Sequence, residues 1–134
     1  MDDYSLTLRD YRLEEAEKKL TAAKVLIDNG CFKDAINRSY YAVFDAMRSV
    51  LAIERIDFKK HAQVIGYFNK NYIHTGLFDT KYNRYISSIF QIRNNCDYND
   101  FYLVSKSDAL EQYEKASEFV NSVKEYFTRL KRSI

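Results

Sequence analysis

A chain of 134 residues with no proline and only three glycines has very few places to turn. A sheet protein of this size needs frequent tight turns, and glycine and proline are the usual means of making them. Helices need far fewer breaks, so the chain reads as helical. Apolar residues make up 46% of it, which argues against disorder and is enough for a packed core. One domain over residues 1–134 is expected, an all-α bundle of about five helices.

Apolar spacing predicts where the helices lie. Leu13, Ala16, Leu20, Ala23 and Ile27 recur in steps of three and four, which marks a first helix over 8–29. Thr7 with Asp10 is its expected capping box and Gly30 its stop. A second helix over 32–53 carries two faces, Ile36, Tyr40, Val43, Met47 and Val50 on one and the small residues Ser39, Ala42, Ala46 and Ser49 on the other. Two usable faces predict a central helix, and the small face is the expected seat of a homodimer contact. The charged segment 54–60 ends it. A third helix over 61–73 turns Val64, Ile65, Phe68 and Tyr72 inward. Gly66 inside it costs about 1 kcal/mol against alanine, which suggests a close helix contact there. A fourth helix over 80–96 buries Tyr82, Tyr85, Ile86, Ile89 and Phe90, and Arg93 continues that side. After a polar loop over 97–104, Ser105 with Asp108 caps a fifth helix. Its Ala109, Tyr113, Ala116, Val120, Val123, Phe127 and Leu130 repeat as a bundle seam does. The second and fifth helices are expected to be the most buried.

The formal net charge is +2, so no broad basic surface is available and any nucleic-acid site must be local. Cys31 and Cys96 are too few for a disulfide framework, and with only His61 and His74 a zinc site is not expected. No metal and no cofactor is expected. No charged-then-apolar leader and no apolar run of about 18 residues appears, so a cytoplasmic chain without membrane contact is expected. The 12 tyrosines combine apolar bulk with a polar tip, which suits buried polar seams and interfaces.

The candidate chemistry gathers in two segments. Asn37-Arg38-Ser39-Tyr40-Tyr41-Ala42-Val43-Phe44 reads as the middle of a buried helix with more polar groups than packing needs. Arg93-Asn94-Asn95-Cys96-Asp97-Tyr98 puts an arginine on an apolar face, where a charge must be paired or must serve a ligand. Arg93 offers phosphate a planar fork of donors and can stabilise developing negative charge, but it cannot act as a base. It can equally pair with Asp97, one turn later. Tyr98 can stack on a base, hold a phosphate or cover the core. Its ordinary pKa of about 10 suits a proton acceptor poorly. Asn37 and Tyr41 share a face, with Arg38 beside them, and can line a groove or form a core network. His61 stands at a helix start, where the dipole favours neutral imidazole and so a proton acceptor.

The helix order, the segment from Asn37 to Phe44, the Lys60-His61 helix start, the Tyr72-to-Gly76 turn and the Arg93-to-Tyr98 segment resemble the bacterial and archaeal branch of the HEPN family. The resemblance covers nearly the whole chain. It implies an up-and-down helical bundle that often forms a homodimer. It implies frequent pairing with a minimal nucleotidyltransferase, as toxin and antitoxin or as paired subunits, and a nucleotide or RNA as ligand. Members that cut RNA without a metal carry an arginine, four to six residues, and then a histidine. Carried onto this chain, Arg93 is the arginine, and the positions at those two spacings hold Tyr98 and Asp100. Neither is histidine, which resembles a subgroup that lacks it. The resemblance also implies that the arginine clefts of two protomers meet across the dimer interface.

Three functions follow from these readings. One is a subunit that binds nucleotide or RNA through Arg93 beside a nucleotidyltransferase, with Asn37, Arg38, Tyr41 and His61 around the ligand. Another is an RNase toxin in which Tyr98, Asp97 or His61 replaces the missing base. The third is a dimeric interaction module whose Arg93–Asp97 pair is structural.

Overall fold

The computed structural model describes residues 2–132. They form five α-helices: α1 (Asp3–Asp28), α2 (Phe32–Ile53), α3 (His61–Phe68), α4 (Lys81–Tyr98) and α5 (Lys106–Arg132). A π-helical turn, Asn69–Ile73, extends α3. Among the described residues there is no strand. The chain is an all-helical bundle, and α2 is its centre, in contact with every other α-helix. Ile36, Tyr40, Met47, Val50 and Leu51 of α2 are at most 1% exposed. On α5, Ala109, Ala116, Val120, Val123 and Phe127 are buried as the repeat predicts.

The small-residue face of α2 is not a dimer surface. Ser39, Ala42, Ala46 and Ser49 are fully buried within the single chain, as are Ala16 and Ala23 of α1. α1 lies along α2 more extensively than any other helix does. Alanine and serine let two helix axes approach closely, so the face is consumed by this internal packing.

Helix ends show which local signals the chain uses. α1 starts earlier than the Thr7–Asp10 box predicts. Asp2 is its cap and accepts a hydrogen bond from the Ser5 backbone N–H at 2.8 Å. A carboxylate there satisfies an orphan donor and faces the positive end of the dipole. At the other end Gly30, at φ +80°, closes a Schellman turn. Cys31 N–H reaches Leu26 O at 2.8 Å and Gly30 N–H reaches Ile27 O at 3.1 Å. α5 has the expected reciprocal box: Asp108 N–H donates to Ser105 Oγ at 3.0 Å, and Ser105 N–H donates to Asp108 Oδ2 at 3.1 Å. α4 runs on to Tyr98, past the predicted end at 96, so Arg93 and Asp97 are both helical.

The third helix departs twice from expectation. A Cβ built on Gly66 meets no atom within 4 Å, so the glycine marks no close contact. The regular helix also stops at Phe68, and His74 N–H bonds Asn69 O five residues back at 2.9 Å. In an α-helix a residue five positions after Phe68 would point about 140° away from it. The wider π turn changes that angle, and Tyr72 and Ile73, adjacent in sequence, are both buried at 3% and 1%.

Candidate functional site

Asn37, Tyr41, Phe44 and Arg48 follow one another on α2 at steps of four, three and four, which is one stripe of a helix. All but Phe44 are half-buried. α4 lays Arg93 against this stripe, and the first residue of α3, His61, packs on it.

Arg93 makes the central contacts. Its Nη2 donates to the Tyr41 hydroxyl at 3.1 Å. Its guanidinium carbon lies 5.0 Å from the Tyr40 ring centre and 5.6 Å from that of Tyr41, within cation–π range of both. Its Nε is 2.9 Å from Asp97 Oδ2, one turn along α4. That contact is ionic only: the buried Nε–H is not aimed at the carboxylate and has no hydrogen-bond partner. The side chain is just 17% exposed. Arg93 is thus a half-buried cation with donors left over, held by two phenol rings and one carboxylate.

His61 packs its ring 4.2 Å from that of Phe44, and its Nδ1 lies 2.9 Å from the Tyr40 hydroxyl. Burial pushes the Tyr40 phenol up to about 12, so it keeps its proton. Tyr40 is 1% exposed, and His61 is its hydrogen-bond partner. A buried phenol has to donate that proton, which makes Nδ1 the acceptor and leaves the hydrogen of neutral imidazole on Nε2. Burial first, then Arg93 and Arg48, hold His61 below its usual pKa. The resulting species is a neutral ring with a free N–H donor. The hydroxyl proton of Tyr41, whose oxygen already accepts from Arg93, is likewise unassigned.

A second arginine group borders the first. Asp57 accepts from Arg48 Nη2 at 2.9 Å and from Arg12 Nη2 at 3.1 Å. Arg12 also donates through Nη1 to the Arg48 carbonyl at 3.1 Å. Arg48 in turn lies 5.8 Å from the centre of the Phe44 ring that His61 packs on.

The structure therefore brings together Arg93, Asp97, Tyr41 and His61. Asn37 is half-buried one turn before Tyr41 and makes no hydrogen bond. Arg38 is exposed and unpaired. Tyr98 is 83% exposed and touches neither the core nor the cluster through a ring contact or hydrogen bond. Phe101 at 91% and Leu103 at 87%, in the segment after α4, are exposed apolar residues as well. The sequence places Tyr40 both on the apolar stripe and among the candidate polar groups of the second helix, but Arg48 was passed over. Its signal was present, in the four-three-four spacing that continues the line from Asn37 and Tyr41. Among the described residues no three His, Cys, Asp or Glu side chains gather as metal ligands do, and no helix is long and apolar enough to cross a membrane.

Comparison with known proteins agrees with this architecture. The family model of the HEPN domain matches residues 10–126. A candidate toxin of Methanocaldococcus jannaschii is 31% identical over 114 residues, 85% of this chain and 78% of that protein. A second candidate toxin of the same organism is 36% identical over 86 residues, 64% of each chain. A UPF0332 protein of Thermotoga maritima is 27% identical over 124 residues, 92% of this chain and 94% of its own length.

Proposed function

This chain belongs to the HEPN domain family, and we propose that it is the toxin-type, RNA-binding member of a pair with a minimal nucleotidyltransferase. The observation that carries the proposal is Arg93: a half-buried cation whose Nη1 makes no hydrogen bond, beside the free donors of Tyr41 and His61. A salt bridge needed only for packing would have its donors satisfied by Asp97. A phosphate oxygen is the acceptor that suits a guanidinium fork, a phenol O–H and an imidazole N–H together. Two relatives named as toxins support the same direction.

Binding is favoured over cleavage. The arginine-to-histidine pattern lacks its histidine, and the position that would hold it, Tyr98, stands in solvent. His61 in the tautomer that Tyr40 imposes donates through Nε2 and has no lone pair facing outward for a base. A homodimer remains part of the proposal. With the small-residue face used inside the chain, Tyr98, Phe101 and Leu103 are the surface that a second copy would cover.

The test is RNA affinity and melting temperature measured together, for wild type, Arg93→Ala and Arg93→Lys. A charged hydrogen bond is worth about 1.5–3 kcal/mol, so Arg93→Ala should weaken RNA binding roughly tenfold to a hundredfold. Lysine should rescue only in part, because it lacks the bidentate fork. A wild-type protein without RNA affinity, combined with a large fall in melting temperature for Arg93→Ala, would make Arg93 a structural ion pair and end the proposal.

A further inference from the structure

Arg12, Arg48 and Asp57 form a group with an excess of charge. One carboxylate serves two guanidinium groups, at 3.1 Å and 2.9 Å, so the three carry a net positive charge. Their roles differ by burial. Arg12 is 11% exposed and is also tied to the Arg48 carbonyl, so it braces the group. Arg48 is 30% exposed, and its guanidinium carbon lies 5.8 Å from the centre of the Phe44 ring that His61 also packs on. Asp57 is 49% exposed and can be displaced as the partner of Arg48 by a competing anion.

The position of this group relative to Arg93 is set by α2. Arg93 bonds at the level of Tyr41, and Arg48 springs from seven residues further along the same stripe. At 1.5 Å per residue the two levels are about 10 Å apart on the helix axis. Phe44 and His61 lie between them. Phosphates within one nucleoside triphosphate share bridging oxygens and sit closer than this. Phosphates on either side of a single ribose also sit closer than this, and phosphates two nucleotides apart along an RNA strand match it better.

We infer that Arg48 is a second phosphate-binding residue, so that the groove takes two phosphates of a single RNA strand, one at Arg93 and one at Arg48, rather than a lone nucleotide. The inference rests on the RNA-binding reading of Arg93 and adds the substrate class to it. Asp57 then occupies Arg48 in the absence of RNA and yields it to the strand.

The experiment uses a fluorescently labelled RNA of about ten nucleotides, long enough to fill such a groove, with adenosine monophosphate as the single-phosphate probe. Arg48→Ala should weaken RNA binding about tenfold and lower the salt dependence by about 0.7 for the lost contact. It should reduce RNA affinity more than adenosine monophosphate affinity. Asp57→Asn removes the competing carboxylate and should strengthen RNA binding. Both substitutions disturb the same ion group, so a purely structural role would make the two effects share a sign; opposite signs support the inference. Unchanged RNA affinity and salt slope in Arg48→Ala, with binding lost in Arg93→Ala, would overturn it and leave the Arg93 reading standing. So would Asp57→Asn binding RNA no better than wild type. Competition by a polyaspartate peptide as effective as competition by unlabelled RNA would overturn it in favour of an acidic protein segment. Loss of RNA binding in none of the variants, because the wild type has none, would end the Arg93 reading instead.

Discussion

His61 shows how far a single residue depends on its neighbours. Its imidazole is held below the usual value of 6.5 by burial and by the charges of Arg93 and Arg48. The unfolded chain, with His61 near 6.5, therefore takes up its proton at higher pH than the folded one. Stability from this group is fully present above about 6.5 and is lost as pH falls through the depressed folded value. The melting temperature of wild type should thus drop between about pH 7 and about pH 5 by more than that of His61→Gln. Asp57 and Asp2, whose carboxyls are also held low, protonate below about 4, so they do not blur this window. An equal drop in both proteins would mean that His61 is not the group titrating. Arg93 was legible as a special residue because a cation on an apolar stripe is rare. Arg48 was passed over despite its spacing, because an arginine near a helix end beside a charged loop looks like ordinary surface.

At the scale of elements, α3 carries a weakness that the structure exposes. Gly66 lies in a regular helix, is exposed, and leaves open space where a Cβ would go. Alanine there restricts the unfolded chain and meets nothing in the folded one. Gly66→Ala should raise stability by about 0.5–1 kcal/mol, seen as a higher denaturant midpoint with an unchanged slope. A fall in stability would mean that a partner or ligand occupies that space. The π turn that follows was invisible in the sequence. Its cause is tertiary, the demand that Tyr72 and Ile73 both reach the core beside Phe68 and Phe78. The Ser105–Asp108 box, by contrast, is a contact within four residues and was read correctly from spacing alone.

At the scale of the whole molecule, internal packing constrains assembly. α1 covers the small face of α2, so a dimer must use another surface. Tyr98, Phe101 and Leu103 are the exposed apolar residues nearest in sequence to Arg93. Light scattering should give twice the chain mass of 15.9 kDa at micromolar concentration. The double substitution Phe101→Asp with Leu103→Asp should return the single-chain mass while leaving the melting temperature nearly unchanged, since neither side chain is in the core. A wild type of single-chain mass would remove the dimer from the proposal.

The sequence alone determined the helical class, the five helices, the central place of α2 and the inward position of Arg93. All of these follow from local periodicity and from the near absence of turn residues, which act over a few residues and need no knowledge of neighbours. Only the tertiary structure decided which helix covers the small face of α2, why α3 widens after Phe68, and that Asp2 rather than Thr7 starts α1. It alone decided that Tyr40 fixes the tautomer of His61 and that Arg48 borders the Arg93 cluster. The contacts that build the site join residues far apart in the chain, 21 for Tyr40 with His61 and 52 for Tyr41 with Arg93. Helical periodicity says which way a side chain points, but packing chooses what it meets.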